Sequence, residues 1–179
     1  MSSDDFLNEE QEIIKSREKN SVVIDKESFF ERPISDLKLP PAKSLSSNST
    51  IDMAINLMQK NNIGSVVIVE GKKVVGILTE RDILMKVIGK ISDYKKVLVA
   101  EIMTKNPICL HPSDDIIYVM NNMHIGHFRH IPLVDQKGEL FSMISVRDVL
   151  DYFFNNFSKE ITNTTSQPYR GPKNPEEGA

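Results

Sequence analysis

One cysteine, Cys109, stands among 179 residues, so no disulfide framework can form within the chain, and a lone thiol suits a reducing compartment. Basic charge is not in excess either. Twenty-two Lys and Arg against 25 Asp and Glu leave a formal net charge of −3, whereas a nucleic-acid interface normally needs a clustered basic face. No apolar run approaches the roughly 20 residues of a membrane helix. The N-terminal MSSDDFLNEEQEI is acidic and has no apolar core, which excludes a signal peptide. Also missing are a Ser–His–acid context, a Gly-rich phosphate loop and a zinc-ligand set. His124, His127 and His130, with His111 upstream, straddle a helix end and a strand start, a spacing that does not converge on a metal. The absences point to a soluble, cytoplasmic protein that is no enzyme, with no metal, membrane or nucleic acid among its partners.

What the chain does contain is a duplication. Ile51, Ala54, Ile55 and Met58 reappear as Ile116, Val119, Met120 and Met123, each 65 positions on. Val66-Val67-Ile68-Val69 corresponds to Ile131-Pro132-Leu133-Val134 at the same shift. Beyond that the shift is 66, and Thr79-x-x-Asp82 matches Ser145-x-x-Asp148. A repeated block of this length is a supersecondary unit that needs its neighbour to bury an apolar face. Two facing copies should enclose clefts that are themselves related in pairs.

Each copy reads as a short strand, a helix, two strands and a second helix. In the first, Ser49 followed by Asp52 resembles a capping box for a helix over Thr50–Asn61. Strands follow over Ser65–Glu70 and Val74–Leu78 around the turn Glu70-Gly71-Lys72-Lys73, then a helix over Glu80–Ile88 with Ile83, Leu84 and Val87 inward. In the second copy the helix spans Asp115–Ile125, the strands His130–Val134 and Leu140–Ile144, and the closing helix Val146–Phe154 with Val149, Leu150 and Phe153 inward. The turn Asp135–Glu139 is one residue longer, which accounts for the changed shift. Met53, Met58, Met120 and Met123 read as core, and Cys109 as a small buried hydrophobe. Ile34–Leu37 and Glu101–Pro107 lead into the two copies. The fold expected is α/β (α+β), two tandem β-α-β-β-α repeats with pseudo-twofold symmetry, over residues 27–92 and 93–155. A polar segment, 1–26, precedes them. The Asn-, Thr-, Pro- and Gly-rich stretch 156–179 reads as a disordered tail.

Thr79 and Ser145 each sit between a strand and a helix, three residues before an acid. A capping box alone accounts for that pattern. The same geometry also suits a ligand, because a carboxylate at a helix start can accept hydrogen bonds from both hydroxyls of a ribose. Free amides there favour a phosphate.

Gly76-Ile77-Leu78-Thr79-Glu80-Arg81-Asp82, closing the first unit, and Met103-Thr104-x-Asn106-Pro107, opening the second, resemble the CBS domain. The two copies together resemble a CBS-domain pair, or Bateman module, over residues 27–155. The resemblance implies a stand-alone regulatory protein that binds an adenosine-type ligand between the repeats: AMP, ADP or ATP, with S-adenosylmethionine or NAD as further options. It implies ribose contacts from Thr79, Asp82, Ser145 and Asp148. Adenine contacts fall near Lys43–Leu45 and Ile108–Leu110, hence Ser44, Leu45, Cys109 and Leu110. Related modules often form homodimers through their helices, and a regulated protein partner is expected. Arg129 and His130 resemble a phosphate-holding pair, since guanidinium matches phosphate oxygens. They favour a phosphorylated ligand at the site of Asp148. Asn62-Ile63-Gly64-Ser65, their counterpart, carries no charge. Arg129 could equally pair with a surface acid. Ser142 replaces the family's glycine, Gly76 in the first copy, and could narrow the approach to a ligand there. Arg81 and Arg147 are expected to be exposed. The rival reading is a structural or dimerisation module without a nucleotide.

Overall fold

The computed structural model describes residues 30–162. The chain divides into two compact units: Phe30–Tyr152 is one, and Phe153 begins the described part of the other. In the latter, the rings of Phe153 and Phe154 meet edge to face, their centroids 6.2 Å apart. The expected segment 1–26 and the tail beyond Thr162 lie outside the described residues.

Phe30–Tyr152 contains both repeats. The first has strand β1 (Ser44–Ser46), helix α1 (Ile51–Asn61), strands β2 (Ser65–Glu70) and β3 (Lys73–Thr79), and helix α2 (Glu80–Asp82). Helix α2 widens at once into a π turn over Ile83–Val87, closed by Ile88 N donating to Ile83 O. Helix α3 (Val99–Ile102) and the short strand β4 (Thr104–Lys105) lead into the second repeat, which has helix α4 (Ile116–Gly126), strands β5 (His130–Val134) and β6 (Leu140–Ser145), and helix α5 (Val146–Thr162). Helix α5 extends past the expected boundary, so residues 156–162 are helical rather than disordered. No Gly or Pro stands between Val146 and Thr162 to break the helix.

The apolar stripes behave as their spacing requires at the centre and fail at the edges. Ile51, Ala54, Met58, Ile116, Val119 and Met123 are buried. Met53 and Met120 are exposed, and so are Leu84 and Leu150, which the periodicity had placed inward. The π turn rotates Leu84 off the core, leaving Val87 buried and Ile83 half-buried. The capping residue of α1 is Thr50, whose hydroxyl accepts from Met53 N, not Ser49. Ser49 is buried and spends its carbonyl on Val99 N.

That last bond belongs to an exchange between the repeats. Ile51 N donates to Val97 O and Val99 N to Ser49 O; their images 65 positions away are Ile116 N to Arg32 O and Ile34 N to Asp114 O, all 2.9 Å. The lead-in of each repeat is therefore bonded to the helix start of the other. Packing follows the same crossing, with Val99 and Ile102 in one apolar cluster with Ile51, Ala54, Val66, Ile68 and Leu78 of the first repeat. Strand β4 completes a four-stranded sheet, β1-β2-β3-β4, while β5 and β6 form a separate pair.

The second repeat lacks a counterpart of β1. Only an isolated parallel bridge joins Leu110 to Leu133. In the first repeat Val67 N donates to Lys43 O, but the matching residue is Pro132, which has no N–H to give. A second proline explains Ser142. Gly76 pairs with Lys105 of β4, whereas the matching segment carries Pro40, toward whose carbonyl the buried Ser142 hydroxyl donates. Ser142 thus fastens the lead-in instead of restricting a cleft. At Gly76 itself an added Cβ would clash with Met103 Sδ. Gly76→Ala is expected to lower unfolding free energy by about 1–3 kcal/mol, the usual consequence of overpacking. A urea midpoint equal to that of the parent would show that Met103 moves aside freely.

Candidate functional site

Two clefts open between the repeats, each built from three segments that the duplication relates. One, of about 1080 Å³, is walled by Thr79–Asp82, by Thr104, Asn106, Pro107 and Ile108 of the second lead-in, and by His127–His130. The other, of about 1090 Å³, is walled by Ser145–Asp148, by Pro40–Lys43 of the first lead-in, and by Asn61–Ser65. The crossing of the lead-ins places these segments opposite each acid. In both clefts a carboxylate-bearing helix start faces Pro and apolar side chains, a combination suited to a ring held between apolar walls with a polar group fixing its orientation.

Both capping boxes form, and they orient the acids. Thr79 N and Oγ1 donate to Asp82 Oδ2 at 3.0 and 2.7 Å, and Asp82 N donates back to the hydroxyl at 3.2 Å. Ser145 N and Oγ reach Asp148 Oδ2 at 2.7 and 2.6 Å, with the return bond from Asp148 N at 3.3 Å. Capping consumes one carboxylate oxygen and leaves Oδ1 as the remaining acceptor. Asp82 Oδ1 is paired with Lys86 Nζ at 2.7 Å. At Asp148 no such ion pair is present among the described residues. A hydroxyl arriving at Asp82 must share with Lys86, while one arriving at Asp148 meets an open oxygen.

Arg129 and His130 line both clefts, whereas His127 and Phe128 line only that of Asp82. An Arg129 terminal nitrogen stands 3.9 Å from Glu80 Oε1, both side chains mostly exposed, so the pair is weak. His130 is half-buried, and burial holds its pKa below the ordinary value. The Arg129 charge adds to this, against the pull of Glu80 and Asp148. The unfolded chain therefore binds the proton more readily below about pH 6.5. His130 contributes stability that is present above that pH and lost as pH falls toward its folded value. The urea midpoint of the parent is expected to fall more than that of His130→Gln between about pH 7.5 and about pH 5.5; parallel declines would assign the sensitivity to other groups.

Of the residues expected at the adenine side, Ser44, Leu45, Cys109 and Leu110 lie outside both linings, which reach only Lys43 and Ile108. Cys109 is half-buried with its thiol donating to Pro107 O at 3.5 Å, and burial raises its pKa. Arg147 is exposed and faces Asp151 at 3.9 Å; Arg81 is exposed too. Among the described residues no three His, Cys, Asp or Glu gather as metal ligands, and no helix is long and apolar enough to cross a membrane. Glu80 was not anticipated at the site, although its charge, which Val146 does not match in the other copy, was readable.

Comparison with known proteins agrees with this architecture. A sequence model of the CBS domain matches residues 34–89 and 99–155. The mitochondrial CBS domain-containing protein CBSX3 of Arabidopsis thaliana is 31% identical over 148 residues, which cover 75% of this chain and 71% of that protein. Two further Arabidopsis thaliana relatives, CBSCBSPB3 and CBSCBSPB2, are 33% and 32% identical over 55% and 59% of this chain, and the match spans only about a fifth of their length. A CBS domain protein from Pyrobaculum aerophilum, solved with AMP, has a TM-score of 0.61 at 28% identity, covering 65% of this chain and 89% of that one. The CBS domain pair of protein MJ0100, solved with methylthioadenosine and S-adenosyl-L-methionine, has a TM-score of 0.62 at 27% identity, covering 70% and 98%.

Proposed function

The chain belongs to the CBS-domain family, and from that premise we propose that it binds an adenosine-type ligand in the clefts between its repeats and acts as a regulator rather than an enzyme. The observation that carries this reading is the pair of pre-oriented carboxylates, Asp82 and Asp148, each opposite an apolar lead-in. Related structures hold AMP, methylthioadenosine and S-adenosyl-L-methionine, which supports the adenosine class. In this reading Thr79 and Ser145 keep the acids in place, the ribose hydroxyls donate to the carboxylates, and Arg129 with His130 receives a phosphate. Pro107 and Ile108 in one cleft, and Pro40–Lys43 in the other, flank the base, in place of Ser44, Leu45, Cys109 and Leu110. A ligand would shift the protein only by its differential affinity for two states. Crossed lead-ins give such a shift a route, because a ligand touching one touches both repeats.

Calorimetric titration with adenosine, AMP, ADP, ATP, S-adenosylmethionine and NAD tests the proposal. Saturable binding of any of them supports it. A folded protein that binds none would favour the second reading, a dimerisation or scaffold module. The observation favouring that alternative is the exposed apolar group Leu84, Met85 and Ile88 after α2. A homodimer covering these side chains is compatible with both readings, and light scattering measures it. A cytoplasmic setting suits the single cysteine, although CBSX3 is a mitochondrial protein by name.

A further inference from the structure

The duplication supplies two related clefts, but it does not duplicate the charge between them. Gly64, Glu80, Arg129 and His130 line both. The images of Arg129 and Glu80 under the repeat are Gly64 and Val146, which carry no charge. One guanidinium therefore stands between two sites that each have their own acid, their own capping hydroxyl and their own apolar wall.

We propose that Arg129 is a shared phosphate ligand that serves one cleft at a time, so that two phosphorylated nucleotides bind this chain with negative cooperativity. The inference rests on the nucleotide reading above and adds the regulation of that same pair of sites. The side chain is about two-thirds exposed and paired to Glu80 at 3.9 Å, a contact too weak to hold it. A phosphate in either cleft offers a charge-assisted and potentially bidentate partner instead. Once the guanidinium is drawn to the first phosphate, the second cleft keeps its ribose and base contacts and loses its shared cation. It also retains Glu80, which no longer has Arg129 beside it and repels a second phosphate. His130 borders both clefts as well, but burial holds its pKa below the ordinary value, so at neutral pH it brings no full charge to restore the balance. Lys43 and Arg147 border only the Asp148 cleft, and Arg81 only the Asp82 cleft. These private cations make the intrinsic affinities unequal, so unequal binding alone is not the signature of sharing.

The signature is a difference between sites measured together and sites measured singly. In the full chain AMP is expected to bind in two steps, and adenosine, which has no phosphate, without the coupling. Asp82→Ala and Asp148→Ala each weaken AMP binding at one cleft by about tenfold or more. The other cleft then fills first and has Arg129 to itself. Both single-site affinities for AMP should then be about tenfold or more tighter than the weaker step of the full chain, the factor one charged hydrogen bond supplies. Arg129→Met, at an exposed position, should abolish that gain, so that each single-site affinity for AMP falls to that of the weaker step. Single-site affinities that merely reproduce the two steps of the parent would overturn the sharing while leaving the nucleotide reading intact. Absence of both AMP and adenosine binding in the folded parent would overturn both.

Discussion

Ile68→Ala and Leu133→Ala, made separately, are each expected to lower the free energy of unfolding by about 2–5 kcal/mol and to do so in a single transition. The two residues are images of one another, Ile68 on a central strand of the four-stranded sheet and Leu133 on β5 of the separate pair, and both are almost wholly buried, at 0% and 1% exposure. Their cross-strand neighbours are small: Ile68 pairs with Gly76 and Leu133 with Ser142. Neither neighbour can reach into the space a missing side chain leaves, so most of the cavity persists and the loss falls toward the upper part of that range. The single transition follows from the crossed lead-ins. The first repeat's apolar cluster includes Val99 and Ile102, so loosening either repeat removes packing from both. Urea unfolding followed by circular dichroism measures the loss, and coincidence with a second probe tests the cooperativity. Two resolved transitions would mean that the repeats unfold independently. Leu84→Ala, at an exposed position, is the control and should change stability by no more than about 0.5 kcal/mol.

Asp82→Ala and Asp148→Ala are expected to weaken AMP binding at their own cleft by roughly 10–150-fold, the loss of a hydrogen-bonded charge worth about 1.5–3 kcal/mol. Stability should fall by only about 1 kcal/mol, the ordinary value of a helix cap. The separation matters because one carboxylate oxygen serves the cap, while the other is outside the cap and, at Asp82, pairs with Lys86. Asp→Asn at either position retains an acceptor for the capping amides and removes the charge. It should therefore recover most of the stability without recovering the affinity. Asp82→Ala also leaves Lys86 Nζ, now 2.7 Å from the acid and donating to Ile102 O at 2.7 Å, without its anionic partner, and that cation can partly offset the loss for a phosphorylated ligand. The Asp148 variant has no such compensation and is the cleaner measurement. Variants that lose stability and keep full affinity would reduce the Thr/Ser-x-x-Asp motif to capping.

Much of this was legible in the sequence because the duplication exposes its own register. Ile51 and Ile116 announce matching helices, and Thr79 and Ser145 announce matching helix starts, at shifts that need no structure to read. The illegible parts share a physical cause: they depend on what lies across the repeat boundary. Nothing in the order of residues says that Val99 packs on Ile51 or that Ile34 bonds to Asp114. The expected grouping of Arg129 and His130 with Asp148 was incomplete for the same reason, since these residues border the Asp82 cleft too. Local backbone chemistry hid the rest. A stripe at helical spacing cannot foretell the π turn that exposes Leu84, and Pro132 looks compatible with a strand until the ladder requires its N–H.

The crossed lead-ins also bear on how the molecule could be taken apart. The connection between the repeats passes through Gly89, at φ 73° with open space around its α-carbon, and only then reaches the strap formed by Val97–Ile102. A chain severed in that connection would yield two fragments, each carrying the strap that belongs on its partner and each missing the one it needs. Such halves are mutually complementary by construction, and co-expression would make their reassembly a readout of proximity between whatever proteins they were fused to.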